Sequence, residues 1–153
     1  MRYFLFLLLM LSAGLAHAQA PAAQETPNFC GTDIPLPAGC VADNKYGLRC
    51  DKYELQWAYF NYPQLNPVVE AVLKQEKKKH KGMEQRPLDG FILDQPAKGY
   101  HLSYPTDKGM AYQLLFYGVA KGQPLLVQLT MEVDPEKTAD LPEVAQQIVH
   151  LTR

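Results

Sequence analysis

The sequence predicts an α+β domain in two layers, an antiparallel sheet of about four to five strands with one long helix and a C-terminal helix packed on one face. Three observations carry this. Residues 110–119 and 125–133 both alternate, with Tyr112, Leu114 and Phe116 on one face of the first run and Leu125, Val127, Leu129, Met131 and Val133 on one face of the second. The Lys121-Gly122-Gln123-Pro124 segment between them makes the pair an antiparallel hairpin. From Pro67 onward Val68, Val69, Val72 and Leu73 recur at helical spacing, while Glu70, Lys74, Gln75, Lys77 and Lys78 fill the other face of a helix that stops near Gly82. At the chain's end Asp140 stands three residues before Glu143, Pro142 suits a first turn, and Val144, Ile148 and Leu151 follow at i, i+4 and i+7. These mark a terminal helix lying on the sheet.

The other elements follow in chain order. Arg2 precedes an apolar run that ends in Ala16-His17-Ala18, the small-x-small pattern cut by signal peptidase after Ala18. About 13 apolar residues fall short of the roughly 20 a membrane-crossing helix needs, so residues 1–18 read as a cleaved leader to the periplasm or the exterior. No later stretch is apolar enough to span a membrane, and the mature protein is expected to be soluble. Residues 19–29, rich in Ala, Pro and Gln, read as a flexible lead-in, and residues 30–153 as a single globular domain. Pro35, Pro37, Gly31, Gly39 and Gly47 keep the segment from Cys30 to Cys50 irregular. Tyr53, Leu55, Trp57 and Tyr59 then alternate with Glu54, Gln56 and Ala58, which predicts a strand, although Asp51 and Glu54 also have capping-box spacing. Short strands are predicted at Phe91–Leu93 and at Tyr100–Tyr104, the latter ending in a turn from Pro105 to Gly109.

Charge and cysteines narrow the function classes. With 15 basic and 16 acidic residues the chain has no electrostatic footprint for nucleic acid, and losing Arg2 with the leader changes this by one. Cys30, Cys40 and Cys50 enter an oxidising compartment, where one bridge is expected and one thiol is left over. All three pairings are open, and Cys40 with Cys50 is favoured because Asp43, Asn44 and Gly47 supply turn chemistry between them. Cys30 is then free, or the alternative partner.

No run of residues carries a catalytic, metal or nucleotide signature, so no catalytic residue, metal ligand or cofactor is assigned. Ser103 and His101 would share a strand face, but they lack a nucleophile elbow and an oxyanion donor and read as a solvent-facing pair. His80, His101 and His150 match no zinc spacing. Two features point to binding. One is the aromatic cluster Tyr46, Tyr53, Trp57, Tyr59, Phe60 and Tyr62, and the other is the lysine run Lys77, Lys78 and Lys79 at the helix end. Trp57, Tyr59, Tyr62 and the three lysines are accordingly the candidate interface. The expected function is an exported periplasmic domain that binds another protein, such as an inhibitor or immunity protein neutralising a toxin or cell-wall hydrolase. A small envelope hydrolase and a structural envelope component are the alternatives.

Overall fold

Residues 25–152 are described in the computed structural model; the expected leader and most of the lead-in lie outside them. The first strands are a two-residue ribbon, β1 (Asn28–Phe29) and β2 (Thr32–Asp33). Structure therefore begins inside the expected lead-in, because Phe29 is 2% exposed and belongs to the core. Next come β3 (Val41–Asn44), β4 (Gly47–Arg49), β5 (Tyr53–Tyr59), the helix α1 (Tyr62–Lys79) and four long strands. These are β6 (Glu84–Ile92), β7 (Gln95–Thr106), β8 (Gly109–Ala120) and β9 (Gln123–Met131). A 3-10 turn at Thr138–Asp140, a single helical turn α2 (Glu143–Gln146) and β10 (Val149–Leu151) finish the chain.

The main sheet is mixed with helix as expected but holds eight strands, in the order β10-β6-β7-β8-β9-β5-β4-β3, all pairs antiparallel. It exceeds the expected four to five and curls into a half-barrel. The shortfall has a local cause. The stretch Glu84–Leu88 is nearly all exposed and has no apolar alternation, yet it pairs residue for residue with Gly99–Ser103. Pairing energy, not patterning, makes it a strand. The chain leaves the sheet at β5, crosses it as α1, re-enters at β6 and walks back until β9 pairs with β5, setting Leu55 against Leu129 and Trp57 against Val127.

Helix α1 starts earlier than expected, at Tyr62. The Asn61 N–H donates to the Gln64 side chain, Pro63 sits in the first turn, and Pro67 is accommodated inside the helix at the cost of one backbone bond. Leu65 and Val69 pack down on Leu115 and Leu126. The C-terminal segment departs most from expectation. Val144, Ile148 and Leu151 are buried, but Val149 and Leu151 sit in a strand paired with β6, and only Glu143–Gln146 is helical. Leu141, Val144 and Ile148 also cover the opposite face from α1, joining Phe29, Leu55, Trp57, Leu114, Phe116 and Val127 in the larger core cluster. The two helices therefore lie on different faces, and the sheet is covered on both sides. Phe116 packs over Gly90 and Gly99, where an added Cβ would meet its ring at 2.7 and 3.2 Å, so glycine in β6 and β7 lets the curl close around the ring.

Candidate functional site

One end of the sheet gathers the aromatic residues that sit close together in sequence. The β3–β4 turn presents Tyr46, β5 ends in Tyr59 with Phe60 just after it, α1 opens with Tyr62, and the β8–β9 turn with the start of β9 supplies Gly122 to Pro124. They line a groove of about 680 Å³. Tyr62 is 63% and Tyr46 41% exposed, while Tyr59 is half-buried between them and meets Tyr46 edge-on at 6.0 Å.

Local chemistry holds this surface in place. The disulfide Cys40–Cys50 closes the ends of the β3–β4 hairpin, as the turn residues within it suggested, and leaves Cys30 free. The Asn28 N–H donates to the Lys45 carbonyl at 2.9 Å, and the Trp57 N–H donates to the Tyr46 carbonyl at 2.9 Å, so the turn is tied on both flanks. Lys121 and Gly122, both at positive φ of 47° and 76°, make the two-residue β8–β9 turn that suits the sheet's twist. Lys121 Nζ donates to the Cys30 carbonyl and to Thr32 Oγ1, each at 3.3 Å. The Tyr59 hydroxyl accepts from the Cys30 N–H at 2.7 Å and lies 3.8 Å from its Sγ. Burial pushes the Tyr59 phenol up to about 12, against the Cys30 N–H, which pulls it down, and with the Cys30 thiol, which raises it. Lys45 Nζ lies 4.9 Å above the Tyr46 ring, and the Tyr46 side chain raises its pKa above the usual lysine range. Among the described residues, no carboxylate lines the groove.

The chain matches no protein family, and no curated protein matches it in sequence.

The candidate interface residues do not form one patch. Trp57 is 4% exposed, edge-on to Phe29 at 5.4 Å, with its indole N–H donating to the Asn28 carbonyl at 3.1 Å, so it serves the core beneath the groove. Tyr59 and Tyr62 share the groove. Lys77, Lys78 and Lys79 are exposed on the last turn of α1, about 22–25 Å along the helix from Tyr62. They suit the helix's negative end but belong to another surface.

A second cluster was not visible in the sequence. His101 is only 6% exposed instead of facing solvent. Its Nδ1 lies 3.3 Å from Arg86 Nη2 and its Nε2 2.6 Å from Asp134 Oδ1, at the floor of a cleft of about 430 Å³ beside β10. Guanidinium can only donate, so Nδ1 accepts and the ring N–H points to Asp134. Both nitrogens are thereby engaged, neither with Ser103, and the arrangement ties the loop after β9 to the sheet. Arg86 and Asp134 stand 15 and 33 residues from His101, and the β6–β7 register is what sets Arg86 opposite it. Among the described residues, no group of three or more His, Cys, Asp and Glu is placed to hold a metal ion, and no helix is long and apolar enough to cross a membrane.

Proposed function

We propose that this protein is an exported protein-binding domain, an inhibitor or immunity protein that neutralises a toxin or cell-wall hydrolase, and that it docks through the tyrosine groove. The observation that carries the reading is the exposure of Tyr46 and Tyr62 over a concave surface whose backbone is fixed by a disulfide, two tight turns and a helix start. Tyrosine is favoured at protein interfaces because a large rigid ring buries area at little entropic cost while its hydroxyl finds a partner. A surface held rigid before binding loses less freedom on association. Among the described residues Lys45 is the one charged side chain lining the groove, which suits a partner loop carrying acidic residues. The leader-like residues 1–18 and the disulfide are in keeping with an oxidising compartment. The hydrolase alternative ranks lower, since His101 is engaged on both nitrogens and touches no nucleophile.

The test is affinity capture from the envelope fraction with the tagged protein, beside the double variant Tyr46→Ala/Tyr62→Ala. The expected result is a stoichiometric toxin or hydrolase whose activity falls on adding the wild type, with capture by the double variant at least tenfold weaker at unchanged thermal stability. Equal capture by both proteins, or a captured enzyme whose activity is untouched, overturns the reading.

A further inference from the structure

Helix α1 covers its face of the sheet only in part. Leu65 and Val69 rest on Leu115 of β8 and Leu126 of β9, with Tyr100 and Tyr117 packed at the margin. Beyond that margin the same face of β6 and β7 is open. Side chains alternate between faces along a strand, and Ile92 and Ala97 turn to the larger core while Gly90 and Gly99 lie against Phe116. Asp89 and Phe91 of β6 and Pro96 and Lys98 of β7 therefore turn to the side of α1, and all four are exposed. With Leu65 of the helix and Val119 of β8 they line a groove of about 710 Å³.

Phe91 is out of place on a wet surface. It is 36% exposed, yet it stands within the sheet, paired with His150 of β10 on one side and Pro96 of β7 on the other. A sheet face left to water ordinarily carries polar side chains at such positions. Asp89 and Lys98 add to this. They stand directly opposite in the β6–β7 register, where Cβ atoms are ~4.5–5.5 Å apart, yet among the described residues neither forms an ion pair with the other or with a third side chain. The open face thus holds one free anion and one free cation side by side, bordered by apolar groups.

We infer that this face is covered by a second copy of the chain, in a twofold dimer whose axis runs along the strands between β6 and β7. Such an axis exchanges the two strands across the contact, so Asp89 of each copy meets Lys98 of the other and Phe91 meets Pro96. The face is then its own complement in charge. A partner of one sign would leave either Asp89 or Lys98 facing its like, whereas a second copy answers both. Sheets packed face to face keep their strands within about 30° of each other, which this axis allows. Edge-to-edge pairing is closed off, because the part of β6 that β10 leaves unpaired carries Pro87, which has no N–H, between Arg86 and Leu88. The groove shares no lining residue with the tyrosine groove and does not depend on it.

The experiment is sedimentation equilibrium of the purified protein over roughly 5–500 µM, the range in which modest interfaces dissociate. A reversible monomer–dimer equilibrium is expected. Phe91→Arg should weaken it at least tenfold at an unchanged melting temperature. Asp89→Lys and Lys98→Asp should each be monomeric alone, since each sets like charges across the axis. Mixing the two should restore a dimer with one copy of each, because every pair across the axis is again opposite in sign. Tyr46→Ala/Tyr62→Ala should associate like the wild type. A wild type that stays monomeric throughout overturns the inference, the outcome if another protein or only solvent covers the face. Association undiminished in Phe91→Arg overturns it too, and where that variant melts early the charge variants decide. A mixture of Asp89→Lys and Lys98→Asp that stays monomeric while both melt like the wild type also overturns it, as does loss of association in the tyrosine double variant.

Discussion

Replacing Trp57 with alanine separates core from interface within the aromatic cluster. The side chain is 4% exposed, so it buries roughly 150 Å² more apolar surface than alanine would, worth about 4 kcal/mol at ~25 cal/mol per Å². Removing the indole N–H also leaves the Asn28 carbonyl without that donor, which adds about 1 kcal/mol. Together these make roughly 4–5 kcal/mol, a large share of the ~5–15 kcal/mol that holds an ordinary domain. In urea, with a slope of about 2 kcal/mol per M, the middle of the ordinary range, the midpoint followed by far-ultraviolet circular dichroism should fall by about 2–2.5 M. Trp57→Phe keeps a ring against Phe29 and loses only the donor and part of the volume, so it should cost about 1–2 kcal/mol. Tyr62→Ala, at a 63% exposed position, should leave stability within ~0.5 kcal/mol of the wild type. A Trp57→Ala protein that unfolds at the wild-type midpoint but no longer captures its partner would refute this reasoning, since the cost of emptying a buried site does not depend on any ligand.

Two further outcomes follow from the groove. Cys40→Ser/Cys50→Ser opens a loop of sequence separation 10, and the chain-entropy relation puts the loss at about 2.7 kcal/mol, measurable by urea unfolding through the emission of Trp57, the only tryptophan in the chain. A midpoint unchanged in the double variant would show that the hairpin is held by its pairing to β5 alone. For Tyr59, the folded-state value of about 12 lies above the ordinary value of 10.0, so the unfolded chain ionises first. The stabilisation is full below pH 10 and is lost as pH rises toward 12; Tyr59→Phe should flatten that decline and remove one of the late-titrating phenols from the phenolate absorbance curve, beside those of Tyr53, Tyr104 and Tyr117. Equal slopes for the two proteins across that window would remove Tyr59 as the cause.

The elements that depend on near neighbours were legible in the sequence. The β8–β9 hairpin, the strand around Trp57, the helix through Val68 to Leu73 and the Cys40–Cys50 pair are set by alternation, helical spacing and turn chemistry within short windows. A signal that both sheet faces are covered was also present. Leu114-Leu115-Phe116 and Leu125-Leu126-Val127 are unbroken apolar runs in which the middle residue faces α1 and its neighbours face the larger core. Helical spacing misled at the C-terminus, because Val144, Ile148 and Leu151 meet one apolar surface whether the chain between them turns or coils, and the open edge of β6 decided for a strand.

The sequence by itself determined a mixed α+β chain, its central hairpin and its long helix, and favoured the Cys40–Cys50 bridge, since each follows from interactions among residues close along the chain. Only the tertiary structure decided the number of strands, the face each helix covers, the burial of Trp57, the Arg86–His101–Asp134 contact and the open face of β6 and β7 beside α1. Those depend on which strand lies beside which, and pairing between residues far apart leaves little trace in the composition or spacing of either partner.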